Sequence, residues 1–306
     1  MAMNKQTKPE SPIVWQPRNA AEACTLKQQL GEDGVFVAGG TLLRTWWEAG
    51  TARMPGHLID VSGISSMHKP IALAFSSDDR QICQIGAVAL LSEVRNDSHI
   101  STYYSLLATA MKNIAAPSIR NLATLGGNVL SRVGDALPAL LVYEAMLLWH
   151  DGQGAFEQPL AEWLLEAQAN HAWKNRLLLA IILPPVDLAE QEGNSRLDVY
   201  HKVGRREVFT PSIATVAISA VVSAERHIVD VRLAVGGGQT MPRRLELTEL
   251  LLKGSKLDHS LLQSCYTSVL EHFHPAGDVF ASVSYRQKTA ANLIVSELWK
   301  AMQLKS

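Results

Sequence analysis

Cysteine is scarce in this chain. Cys24, Cys83 and Cys265 are the 3 in 306 residues, far apart, odd in number and never in a C-x-x-C pair. That pattern specifies neither a disulfide framework nor a zinc or iron–sulfur site, and it predicts packed thiols. A charge surplus is missing too: 28 basic side chains stand against 29 acidic ones. Nothing therefore draws the chain to nucleic acid or an anionic membrane, which leaves a small molecule or another protein as partner. No apolar run approaches a membrane span. The opening from Met1 to Pro12 is polar, carries Lys5, Lys8 and Glu10 and holds no signal-peptide core, so a cytoplasmic protein is expected. Repeats and low-complexity tracts are absent, and His272 and His274 have no ligand cluster around them.

What is there is a globular composition, 47% hydrophobic and 19% charged, long enough for two domains or more. The organising stretch is Val35-Phe36-Val37-Ala38-Gly39-Gly40-Thr41-Leu42-Leu43-Arg44. Val35 to Ala38 reads as a buried strand, and Leu42, Leu43, Trp46 and Trp47 follow at helical spacing, so Gly39-Gly40-Thr41 is a strand-to-helix turn. Glycines there converge their amides and the helix adds its N-terminal dipole, a place for a pyrophosphate; an ordinary tight turn is the alternative. The run Ile114-Ala-Ala-Pro-Ser-Ile-Arg120-Asn-Leu-Ala-Thr124-Leu-Gly126-Gly127-Asn128 repeats that logic, with a hydroxyl before two glycines and a carboxamide after them.

Around these stretches the chain alternates. Asn19 and Glu22 form a capping-box pattern for a first helix with Ala20, Ala23, Leu26 and Leu30 on one face, closed by Gly31 and Gly34. Leu58 to Val61, Ile71 to Phe75 and Ile82 to Ile85 read as strands, the last two flanking a turn from Ser76 to Arg80. Helices are expected through Leu90 to Val94, Tyr104 to Met111 and from Pro138. Leu147 to Trp149 and Leu177 to Leu183 are further strands. The polar stretch Asp187 to Ser195 marks a domain boundary. Beyond it come Val199 to Lys202, two antiparallel strands, Ile213 to Val222 and Ile228 to Val235, and helices over Leu245 to Leu252, Leu261 to Phe273 and from Tyr285-Arg286 onward. The run Gly236-Gly237-Gly238 leads to Pro242 and Arg243, not into a helix, and reads as a turn.

The AGGT turn, the I-R-N-x-A-T-x-G-G-N stretch and Asp135-Ala-Leu-Pro138 together resemble the FAD-binding subunit of the xanthine dehydrogenase family of molybdenum hydroxylases, the medium chain of three-subunit members. The likeness covers most of the chain from about Val35. It implies an α+β fold: a two-part FAD-binding domain of α/β units over residues 1–186, divided near 62, and a small α+β domain over 196–306 with antiparallel strands and helices.

The resemblance also implies the cofactor site. Phe36, Val37 and Ala38 would position Gly39, Gly40 and Thr41 against the FAD pyrophosphate. Leu42 replaces a commonly acidic residue, so no side-chain polar contact is expected from it. Ile114 matches the position beside the flavin ring, and Thr124, Gly126, Gly127 and Asn128 the second cofactor segment; Asn128 reads equally as a left-handed turn residue. Asp135 stands two residues closer to Asn128 than is usual and reads as a ribose or ribityl ligand or as a helix N-cap. Leu178 matches a strand residue lining the cofactor, although by itself it is core. Lys202, followed by Arg205-Arg206-Glu207, matches a lysine near the isoalloxazine, where a cation favours the reduced ring; alone it reads as a solvated strand-end lysine.

Expected partners are a molybdopterin-binding large subunit and a 2Fe–2S small subunit. Electrons would pass from the clusters through FAD to NAD⁺ or another acceptor. No catalytic side chain and no metal ligand is assigned to this chain. Two rival readings stay open: a free-standing flavin oxidase, and a scaffold subunit that has lost FAD.

Overall fold

The computed structural model describes residues 11–68, 72–75, 81–186, 194–204 and 212–303. The opening residues to Glu10, Ile71, the turn Ser76 to Arg80, most of the linker from Asp187 and the Arg205-Arg206-Glu207 run lie outside them.

The first part is β1 (Ile13–Trp15), α1 (Ala20–Leu30), β2 (Gly34–Val37), α2 (Thr41–Glu48) and β3 (His57–Asp60). Asn19 caps α1 by accepting from Glu22 N at 2.9 Å, and Gly31 ends it at φ 58. The sheet order is β1-β3-β2, all parallel, which the crossover through α2 requires. As a consequence β2 is an edge strand. Val35, Phe36 and Val37 are only half-buried, which corrects the expectation of a buried strand: their apolar run is not covered on all sides by protein.

The second part runs β4 (Ala72–Phe75), β5 (Gln81–Gly86), α3 (Leu91–Asn96), α4 (Ser98–Tyr103), α5 (Ser105–Asn113), α6 (Pro117–Arg120), α7 (Leu125–Leu130), α8 (Leu137–Val142), β6 (Met146–His150), β7 (Ala155–Pro159), α9 (Leu160–Ala169) and β8 (Leu177–Leu183). Its sheet, β4-β5-β8-β6-β7, is antiparallel throughout. Here β8 sits in the middle, and its run of seven aliphatic-type residues is buried almost end to end. Cys24 on α1 lies 3.6 Å from His150 Nδ1 and joins the two parts. All three cysteines are buried free thiols; burial pushes those of Cys83 and Cys265 up to about 12.

The third part is an antiparallel sheet of β9 (Ser195–Gly204), β10 (Ser212–Val222), β11 (Ile228–Gly237) and β12 (Thr240–Arg244) in the order β12-β11-β10-β9, followed by α10 (Glu246–Leu252), α11 (His259–His272) and α12 (Val283–Gln303). The run Gly236 to Gly238 turns β11 into β12, a strand the sequence pattern leaves unassigned. Val216, Ile218 and Ala220 of β10 face the helices, whereas Ala217, with Tyr200 and Ala234, joins the core of the second part. One sheet thus serves two cores, and it sets Lys202 against the second part.

Candidate functional site

The turn between β2 and α2 has the expected form. Gly40 is the N-cap of α2 at φ 64, a conformation that costs a side-chain-bearing residue about 1 kcal/mol or more. A Cβ at Gly40 would meet only Val37 Cγ2 at 3.5 Å and Ala38 O at 4.0 Å, so its α-carbon faces open space. Gly39 is the opposite case: a Cβ there would fall 1.8 Å from Leu122 O and 2.7 Å from its carbonyl carbon. Only glycine permits that approach. It brings the turn directly against the backbone of the second motif.

That second motif is not a turn. Pro117–Arg120 and Leu125–Leu130 are short helices, and Thr124 is the N-cap of the second, its Oγ1 accepting from Gly127 N at 3.1 Å. Thr-x-x-Gly is the spacing of an N-cap hydroxyl to its third helical amide, which is why the stretch winds up. Gly126, Gly127 and Asn128 are therefore helical, and the left-handed reading of Asn128 is corrected. Asn128 Oδ1 accepts instead from Ala136 N at 3.2 Å, with Gly134 packed on it, so the shortened connection is closed by the carboxamide. The segment is tied to the second sheet by Leu91 N to Ala123 O at 2.9 Å, Leu125 N to Ala89 O at 3.0 Å and Gly126 N to Ala87 O at 2.8 Å. Ala87 N in turn donates to Leu179 O at 2.9 Å, next to Leu178, which is 2% exposed and part of the core.

Asp135 is not a helix cap. The N-cap of α8 is Ala136, with no side-chain bond, and the Asp135 carboxylate pairs with Lys202 Nζ at 2.7 Å. Its carbonyl accepts from Tyr200 Oη at 2.7 Å; burial raises the Tyr200 phenol well above its ordinary range. Lys202 is not a solvated strand end either, since its side chain is 11% exposed and that of Asp135 15%. Lys202 also donates to Asn113 O at 2.9 Å, one residue before Ile114, itself buried. The structure thus joins the glycine turn to the 122–128 segment and Lys202 to Asp135 and the Ile114 segment. Sequence reasoning assigned no role to Arg120, although it stands inside the quoted motif. Only 5% exposed, it donates to Ile114 O at 2.9 Å and Ala115 O at 2.6 Å.

Residues 6–186 match the family described as the FAD binding domain in molybdopterin dehydrogenase. The chain belongs to that family. Residues 199–301 match the CO dehydrogenase flavoprotein C-terminal domain. Among similar proteins, the carbon monoxide dehydrogenase medium chain of Hydrogenophaga pseudoflava is 25% identical over 91% of this chain and 92% of its own length. The xanthine dehydrogenase FAD-binding subunit of Escherichia coli O157:H7 is 25% identical over 79% and 80%. A solved structure of the Hydrogenophaga pseudoflava carbon monoxide dehydrogenase, lacking the Mo-pyranopterin moiety, shares the fold with TM-score 0.82 at 22% identity, covering 96% of this chain and 99% of that one. The protein is an FAD-binding oxidoreductase subunit of the molybdenum hydroxylase family. Its residues fit the cofactor: the open face of Gly40, at the N-terminus of α2, leaves space that a side chain would fill. Among the described residues no helix is long and apolar enough to cross a membrane.

Proposed function

We propose that the chain relays electrons within a molybdenum hydroxylase complex, receiving them from 2Fe–2S clusters on a small partner subunit whose own source is a molybdopterin-binding large subunit. FAD, when bound, would supply the two-electron chemistry through which the electrons reach NAD⁺ or another acceptor. In this reading residues 1–186 are the FAD-binding domain, in two parts of about 1–62 and 63–186, and 196–306 the C-terminal domain; the protein works in the cytoplasm. Gly39, Gly40 and Thr41 hold the pyrophosphate, positioned by Phe36, Val37 and Ala38, with Leu42 beside them contributing apolar surface. Thr124, Gly126, Gly127 and Asn128 shape the second wall. Ile114, Asp135, Leu178 and Lys202 complete the ring side, where Asp135 offsets the lysine charge.

The observation that carries the proposal is the contact of Gly39 with Leu122, which makes one surface of two motifs some eighty residues apart in the chain. Among the described residues no group of His, Cys, Asp or Glu could hold a metal, so the reading takes its incoming electrons from another polypeptide. Coexpression with neighbouring genes should yield a complex with both iron–sulfur and flavin absorbance. Full turnover of a purine, aldehyde or N-heterocycle by the purified single chain would overturn the reading in favour of a free-standing oxidase.

A further inference from the structure

Ala115 has φ 46, the left-handed region that a Cβ disfavours, and such outliers persist only where surrounding groups hold them. The holding groups are cations. Arg120 Nη1 takes the carbonyls of Ile114 and Ala115 at 2.9 and 2.6 Å, and Lys202 Nζ takes the preceding one, Asn113 O, at 2.9 Å. Arg120 Nη1 also reaches Lys112 O at 3.5 Å, and the charged neighbour acting on it is Arg95, not a carboxylate.

A trans peptide carries its C=O and N–H on opposite sides, and no peptide bond here is cis. With the Ile114 and Ala115 carbonyls drawn to Arg120, the N–H groups of Ala115 and Ala116 point the other way. Neither donates to an acceptor among the described residues, although Ala116 is only 8% exposed. Backbone donors so placed are nearly always paired in a working protein. The same backbone continues through α6 to Leu122, against which Gly39 is packed, so these donors and the glycine turn belong to one continuous segment.

We propose that the Ala115 and Ala116 amides form a donor site for an acceptor edge of the flavin ring, a carbonyl oxygen or ring nitrogen, and that Arg120 is the positioning residue that aims them. This rests on the reading that the Ile114 segment lines the flavin. Arg120 acts by holding Ala115 at positive φ, which glycine adopts unaided. Ala115→Gly should therefore compensate for loss of the arginine.

The test is an FAD titration of the full chain as wild type, Arg120→Met, Arg120→Lys, Ala115→Gly and the Arg120→Met/Ala115→Gly pair, recording affinity and the long-wavelength flavin band, with the far-ultraviolet spectrum of each apoprotein as a check on folding. Arg120→Met should weaken FAD by about tenfold and shift the band; Arg120→Lys should lose less, Ala115→Gly almost nothing, and the double variant should regain affinity and band position. If Arg120→Met does not fold, Arg120→Lys with and without Ala115→Gly carries the same comparison. Wild type that takes up no FAD overturns the reading of the site as a whole. Wild type that binds FAD, with an arginine variant unchanged or with a loss that Ala115→Gly leaves in place, overturns this inference alone.

Discussion

Lys202 and Asp135 form an ion pair 2.7 Å long, between a strand of the third sheet and the residue before the N-cap of α8. In the proposed site the Asp135 carboxylate offsets the Lys202 charge beside the flavin, which the lysine would otherwise carry unbalanced. Removing the carboxylate leaves a shielded ammonium whose remaining partner is a carbonyl. Asp135→Asn should cost about 2 kcal/mol, less than the roughly 3–5 kcal/mol of a fully buried pair because both side chains keep some solvent. It should also raise the flavin reduction potential, since an unbalanced cation favours the reduced ring. Thermal melts and a dye-equilibrated reductive titration check the two effects; unchanged potential and stability would remove Asp135 from the site.

The two adjacent glycines should respond oppositely. Gly39→Ala forces Leu122 away and should cost about 3 kcal/mol, the upper part of the overpacking range, with loss of FAD. Gly40→Val meets no wall and should cost only about 1–2 kcal/mol in backbone strain, yet abolish FAD retention by filling the cradle. Gly254→Val, at φ 78 with nothing within 4 Å of an added Cβ, is the matched control: comparable strain with the flavin kept. Melting curves and flavin content of the three proteins decide it, and wild-type FAD affinity in folded Gly40→Val would contradict the pyrophosphate assignment.

Acid should act on α12. Burial pulls the Glu297 carboxyl upward, but bonds from Lys300 at 2.6 Å and His201 at 2.9 Å prevail and hold it below its ordinary range. A depressed folded value means that the stabilisation is fully present above the ordinary glutamate value of about 4.3 and fades as pH falls through the lower folded one. Glu297→Gln should thus melt earlier than wild type at neutral pH and converge with it as pH falls below the ordinary glutamate range and through the lower folded value. A constant gap in melting temperature across that window would show that the carboxylate charge is not what stabilises the helix.

How much of this was legible beforehand differs between elements. The strand Leu177–Leu183 matches the sequence reading residue for residue, because its short length and the Pro184-Pro185 that closes it favour a buried strand over a helix. The α9 helix went unassigned although Leu160, Trp163, Leu164 and Ala167 are buried at helical spacing, a signal that was available. Val35 to Ala38 reads as a buried strand and is half-buried, since an apolar run reports that something covers it and not whether that something is protein. Capping chemistry wound Gly126 to Asn128 into a helix where glycine pairs suggested a turn. The contacts that build the site, Gly39 with Leu122, Asp135 with Lys202 and Arg120 with the Ala115 carbonyl, depend on how distant segments dock or on one backbone angle, and local pattern is silent on both.

The most direct test of the account is the flavin content of the purified chain. The site offers backbone amides, a hydroxyl and a buried cation, and no cysteine or histidine stands among the residues assigned to it, so FAD should be held noncovalently. Acid precipitation should release about one FAD per chain into the supernatant and leave a colourless pellet. A folded chain that is colourless as purified, and stays so after incubation with excess FAD, would contradict the account and leave a scaffold subunit in its place.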